Sequence, residues 1–187
     1  MLIVTSTRYQ TCFVAPTRMT SKPVVLVGPM GVGKTTVGKK LAKRLELPFI
    51  DTDAVITKSH GDISAIFAEK GEQAFREIES DTLVPLLAEP AVISTGGGAV
   101  LHERTREAFA LATVVYLSTD GKHIASRLRG GNRPLIKNGI SDWRQIYTSR
   151  KPLYEQVADI TVDTSSSSLV QTIDAILEGL KKQNADA

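Results

Sequence analysis

The chain has 187 residues, of which 42% are hydrophobic and 23% charged, with a net charge of +3 and one cysteine. These values suit one globular domain with its own core, and a lone Cys12 excludes a disulfide scaffold and leaves the cytosol as the default compartment. So small a basic excess is no argument for nucleic acid, and no apolar run approaches the roughly 20 residues of a membrane-spanning helix.

Residues 1–21 read as a poorly ordered N-terminal extension, ahead of a single domain over 22–187. The extension has basic residues but no compact apolar stretch followed by a small-residue cleavage site, which argues against a signal peptide. Met19 is a second candidate start, and an extra strand from this stretch stays open.

From Val24 onward, short β-branched runs alternate with helical patterns. Strands are expected at Val24–Gly28, Pro48–Asp51, Ala91–Thr95, Thr113–Leu117 and Ile160–Val162, each apolar enough to be covered on both faces. Helices are expected at Gly33–Leu45, about Asp53 to Ser59, Ile63–Glu69, Gln73–Leu87, Glu103–Leu111, Lys122–Arg129, Trp143–Val157 and Leu169–Lys181. This alternation predicts an α/β domain with a parallel sheet between helices. The Ser165–Ser168 run is a loop or a helix cap.

The first strand leads into Gly28-Pro29-Met30-Gly31-Val32-Gly33-Lys34-Thr35, which fits G-x-x-x-x-G-K-[ST] between a strand and a helix. Glycines let successive N–H groups face phosphates at a helix N-terminus. Lys34 then reaches the β- and γ-phosphates, and the Thr35 hydroxyl ligates Mg²⁺. Typical residue frequencies give on the order of 0.01 chance matches in such a chain. The motif therefore predicts a nucleoside triphosphate with Mg²⁺.

The residues for the acceptor side lie further along the chain. Asp51-Thr52-Asp53 closes the second strand, so both carboxylates should emerge at the carboxyl edge of the sheet. One can hold Mg²⁺ through water, the other can engage an acceptor hydroxyl, and one of them can also cap the next helix. Arg76 and Glu79 stand i, i+3 on a helix, which fits a surface ion pair as well as a site. Gly96-Gly97-Gly98 ends the third strand; more glycines than a turn needs favour close ligand approach. Arg133-Pro134 sits in a polar stretch that reads as a mobile lid over about 130–140. Arg150 is either a solvated helix residue or an anion clamp.

The ordered set GPMGVGKT, DTD, FREIE, GGGA, RPLI and SRKPLYEQVAD resembles the shikimate kinase family over nearly everything from Val24 to Asp163. The resemblance implies a three-layer P-loop kinase fold: five parallel strands in the order 2-3-1-4-5, flanked by helices and carrying a mobile lid. It implies transfer of the γ-phosphate of ATP to the 3-hydroxyl of shikimate, in the pathway to aromatic amino acids. Asp53 would contact the shikimate hydroxyls, including the attacking one. Arg76, Gly98 and Arg150 would hold the carboxylate, with Gly97 assisting through its backbone, Glu79 orienting Arg76, and Phe67 and Phe75 walling the ring. Nucleotide would lie on Gly31, Val32, Gly33, Lys34, Thr35 and Thr36, with Mg²⁺ on Thr35 and, through water, Asp51. Lys34 and Arg133 would join Asp53 in catalysis, and Arg127 or Arg129 would stack on adenine. The segment from Arg127 to Arg133 is shorter than usual for the family, and the serine run replaces a basic or proline-bearing adenine loop.

Gluconate kinase shares the loop and a nearby carboxylate, but the Asp51/Asp53 pair, the triple glycine and Arg133-Pro134 favour shikimate. A guanine-specific switch would carry Asn-Lys-x-Asp, which is absent. The expected partners are ATP and shikimate, without nucleic acid or membrane, and the expected state is a monomer.

Overall fold

A computed structural model of the chain describes residues 20–124 and 139–185. Five strands form one parallel sheet: β1 (Val24–Val27), β2 (Phe49–Asp51), β3 (Val92–Ser94), β4 (Thr113–Ser118) and β5 (Ile160–Asp163). Their order is β2-β3-β1-β4-β5, as expected. β1 lies at the centre, with Val24 opposite both Val92 and Thr113. Because side chains alternate along a strand, β1 feeds two cores. Val24 and Leu26 pack against α1 (Lys34–Leu45) and the last helix, here α6 (Leu169–Ala185), through Leu41 and Ile176. Val25 and Val27 pack on the other face with Leu83, Val100, Tyr116 and Tyr154. All four β1 residues are fully buried, which explains why the strand reads as a continuous apolar run.

Three further helices cover the sheet: α3 (Ile63–Leu86), α4 (Glu103–Ala108) and α5 (Ile140–Val157), while α2 (Thr52–His60) follows β2 directly. The two helices expected over 63–87 are joined end to end. Gly71, at φ 80° and ψ 173°, breaks α3 between them, a conformation in which a side chain would be strained. The segment expected as one helix from Glu103 to Leu111 instead ends at Ala108 and closes in a 3-10 turn, Phe109–Leu111. α5 starts three residues earlier than its apolar pattern indicated. The serine run is a cap: Ser168 Oγ accepts from Gln171 N at 3.2 Å, and Gln171 Oε1 accepts from Ser168 N at 2.8 Å.

Beside the β2 edge, Ile56, Ile66 and Phe75 form a small separate cluster with Ile63, Phe67 and Ile78. It packs α2 against α3 beyond the carboxyl end of β2, from which α2 starts. In an open α/β sheet this is the edge at which ligands bind. No helix among the described residues is long and apolar enough to cross a membrane.

Candidate active site

One cavity of about 610 Å³ opens at this edge, lined jointly by Lys34, Thr35, Asp51, Asp53, Arg76, Glu79, Gly96–Gly98 and Arg150. The glycine-rich loop enters it from β1. Gly28 turns the chain at φ 141°, where a Cβ would stand 2.5 Å from the Leu117 carbonyl oxygen of β4. Gly33 caps α1 in the left-handed region, at φ 107°. Lys34 is buried, and its Nζ donates to the Gly28 and Pro29 carbonyls at 2.8 and 3.0 Å. Its ammonium thus spans the loop, while Gly31, Gly33, Thr35 and Thr36 line the cavity wall. Val32 is buried in the core instead, so any contribution to nucleotide comes from its backbone.

Asp51 divides its two oxygens between two tasks. Oδ1 accepts from the backbone N–H groups of Asp53 and Ala54 at the start of α2, and Oδ2 accepts from the Thr35 hydroxyl at 2.8 Å. The capping role and the pairing with Thr35 coexist, because a carboxylate has acceptor sites to spare. Asp53, the second residue of α2, lines the cavity and is reached by solvent although closely surrounded. Burial raises its carboxyl above the ordinary range and the Asp51 charge adds to this, against Lys34 and Arg76. It therefore binds a proton more readily than a surface aspartate does.

Arg76 and Glu79 do not form the surface ion pair that their spacing allowed. The pair is buried: Nη1 donates to Glu79 Oε2 at 2.6 Å, and the Glu79 side chain is 1% exposed. Burial pushes the Glu79 carboxyl up, and the Arg76 charge opposes it. The guanidinium lies flat on Gly98, where a Cβ would come within 2.2 Å of it, and Phe67 and Phe75 face its other side at 5.8 and 5.1 Å. Gly96 is bare for a similar reason, since a Cβ there would stand 2.3 Å from Glu79 Oε1 and 3.0 Å from Asp53 Oδ1. The triple glycine thus makes room for the site's own side chains.

Arg150 is also buried, at 6% exposure, so it is not a solvated helix residue. Burial lowers its pKa from the ordinary range, yet a guanidinium stays charged at neutral pH. Its Nη1 donates to the Gly97 carbonyl at 3.2 Å, and the Tyr154 hydroxyl donates to the same oxygen. Burial pushes that hydroxyl up to about 12, which keeps it a donor. The Gly97 carbonyl is therefore committed to α5, and only the rest of its backbone faces the cavity.

Sequence reasoning missed three features. Trp143 is fully buried, and its indole N–H donates to the Met30 carbonyl of the glycine-rich loop at 2.9 Å. Tyr154 holds Gly97, and Glu72 reaches Arg76 at 2.9 Å and Arg150 at 3.7 Å. The one signal was spacing: Trp143, Arg150 and Tyr154 recur every seven or four residues on one face of α5. Arg127, Arg129, Arg133 and the lid expected at about 130–140, apart from residues 139 and 140, lie outside the described residues, as does most of the extension.

A phosphate-binding loop and a carboxylate–arginine acceptor pocket sharing one cavity define a P-loop phosphotransferase of a small anionic substrate. The family model described as shikimate kinase matches residues 30–181. The shikimate kinase of Francisella tularensis subsp. novicida is 39% identical over 165 residues, covering 83% of this chain and 93% of that protein. That of Thioalkalivibrio sulfidiphilus is 38% identical over 170 residues, covering 88% and 90%. Among solved structures, shikimate kinase from Acinetobacter baumannii in complex with shikimate superposes with a TM-score of 0.83 at 36% identity, covering 88% of this chain and 96% of that one. The chain belongs to the shikimate kinase family. A gluconokinase from Sinorhizobium meliloti, at 18% identity and a TM-score of 0.53, shares the fold alone.

Proposed function

We propose that this family member moves the γ-phosphate of ATP onto the 3-hydroxyl of shikimate, with binding and proton transfer divided among the residues of the cleft. The observation that carries the reading is the single cavity in which Lys34 and Thr35 face Asp53, Arg76 and Arg150. Arg76 and Arg150 hold the shikimate carboxylate, for which planar forked donors are suited. Asp53 accepts the proton of the attacking hydroxyl as its oxygen bonds to the γ-phosphorus and the bond to the β-phosphate oxygen breaks, releasing ADP. Glu79 Oε1 is buried and without a protein donor among the described residues, so it offers an acceptor to a substrate hydroxyl or to water. Lys34 and the loop's N–H groups stabilise the charge spread over the transferring phosphoryl group. A second cavity of about 280 Å³, lined by Gly33, Thr36, Thr164, Ser167 and Thr172, lies on the nucleotide side and suits the base.

The donor set fits Mg²⁺. Thr35 Oγ1 and Asp51 Oδ2 lie together beside the phosphate loop, and no group of three or more His, Cys, Asp or Glu gathers elsewhere among the described residues. Mg²⁺ keeps several waters and takes phosphate oxygens, so one hydroxyl and one carboxylate suffice for the protein's share. When bound it neutralises charge on the phosphates. Arg133 and an adenine-stacking Arg127 or Arg129 complete the assignment.

The test is a coupled ADP-release assay with ATP and Mg²⁺, comparing shikimate, gluconate and no acceptor. Release that requires shikimate is expected. Release with gluconate alone, or without any acceptor, would overturn the acceptor pocket as drawn.

A further inference from the structure

Glu72 is the first residue after the break at Gly71, on the α3 face that also carries Arg76 and Glu79. Its Oε1 stands 2.9 Å from Arg76 Nη2 and 3.7 Å from Arg150 Nη2. A single carboxylate oxygen thus bridges both guanidiniums assigned above to the substrate's carboxylate.

Neither arginine depends on it for position. Arg76 is fixed by Glu79 at 2.6 Å and by the bare Cα of Gly98 beneath it. Arg150 is fixed by the Gly97 carbonyl at 3.2 Å. The two acidic partners also differ in burial: the Glu79 side chain is 1% exposed and that of Glu72 43%. Glu79 is a permanent counterion, whereas Glu72 is part-exposed with solvent beside it, able to exchange protein donors for water. A substrate carboxylate would take the same donors, and two anions on one pair of guanidiniums repel each other.

The geometry points to Glu72 as a specificity-determining residue: a tethered carboxylate that holds the anion position of the arginine clamp until a ligand with additional contacts displaces it. A hydroxylated ring acid also donates hydrogen bonds to Asp53 in the same cavity, and so can displace it. A simple anion gains nothing further and is refused. Like-charge exclusion of this kind is a standard source of selectivity. The inference rests on the clamp assignment for Arg76 and Arg150, and its test separates the two.

The experiment compares the wild type, Glu72→Gln, Glu72→Ala and Arg150→Ala. For each, the shikimate KM, the ATP KM and competitive inhibition by benzoate, a ring carboxylate without hydroxyls, are measured. Loss of the Glu72 charge should lower the shikimate KM about fivefold and strengthen benzoate inhibition by at least that factor in both variants, the scale of one partly exposed charge pair. The ATP KM should stay unchanged. Arg150→Ala should raise the shikimate KM. If Arg150→Ala raises it while both Glu72 variants leave it level or higher, Glu72 is no competitor and the inference fails alone. If Arg150→Ala has no effect, the clamp assignment fails and takes the inference with it. Glu72→Ala guards against the amide of Glu72→Gln keeping a hydrogen bond to the arginines.

Discussion

Gly98 has no side chain, and the Arg76 guanidinium lies where one would go. A Cβ at this position would meet Cζ and Nη2 at 2.2 Å and Nη1 at 2.3 Å. Gly98 has an ordinary φ of −109°, so Gly98→Ala meets no backbone penalty and its whole effect falls on Arg76. Restoring van der Waals distance requires the guanidinium to withdraw by about 1 Å. It has two ways to do so. Retreating as a whole would break the 2.6 Å bond to Glu79 and strand a buried carboxylate, at about 3–5 kcal/mol. Because Nη1 is itself 2.3 Å from the Cβ, the fork cannot pivot on it. Sharing a smaller shift between the guanidinium and the Gly96–Gly98 turn keeps the Glu79 bond and costs about 1–3 kcal/mol of overpacking, so the shared shift wins. The displaced fork misaims the donors meant for the substrate, and a misplacement of about 1 Å costs about 10²-fold in rate. Initial rates at saturating ATP should therefore show kcat/KM for shikimate falling about 100-fold, with the ATP KM within about twofold of wild type and a melting temperature lower by a few degrees. A folded Gly98→Ala enzyme with kcat/KM for shikimate within about threefold of wild type would refute the placement of Arg76 on the substrate.

Two other substitutions probe different parts of the cleft. Asp53→Asn should abolish transfer while leaving nucleotide affinity, read by calorimetry, close to normal. Because burial raises the Asp53 pKa above 3.8, the folded protein keeps a proton that the unfolded chain has already lost, and stability falls as pH rises through that interval. The penalty persists at neutral pH, so Asp53→Asn should also raise the melting temperature of the ligand-free protein there. A lower melting temperature for the variant at neutral pH would contradict this. Trp143→Phe removes the indole N–H from the Met30 carbonyl, at about 1–3 kcal/mol of stability. It should raise the ATP KM several-fold with little change for shikimate; equal effects on both would mean that Trp143 only packs.

The strands, the phosphate loop and the Asp51/Asp53 pair were legible because each is local, whereas the strand order came from the family resemblance alone. A fixed spacing next to a strand end dictates where the backbone turns and which side chains emerge. Arg76 was harder to read, since an i, i+3 pair looks the same in sequence whether water or protein surrounds it. Only the packing of Phe67, Phe75 and Gly98 around the guanidinium decided that it is buried. The triple glycine was read as room for a ligand, and part of that room is filled by Arg76, Glu79 and Asp53 themselves.

By itself, the sequence determined that this protein has a parallel sheet with a nucleotide loop at its carboxyl edge, because strand periodicity and loop chemistry are properties of consecutive residues. The tertiary structure decided which distant groups meet: Trp143 on Met30 across 113 positions, Arg150 on Gly97 across 53, and Glu72 between two arginines from different helices. Such contacts depend on how α3 and α5 lean across the sheet edge, and that is set by the packing of whole faces, which no short stretch of residues encodes.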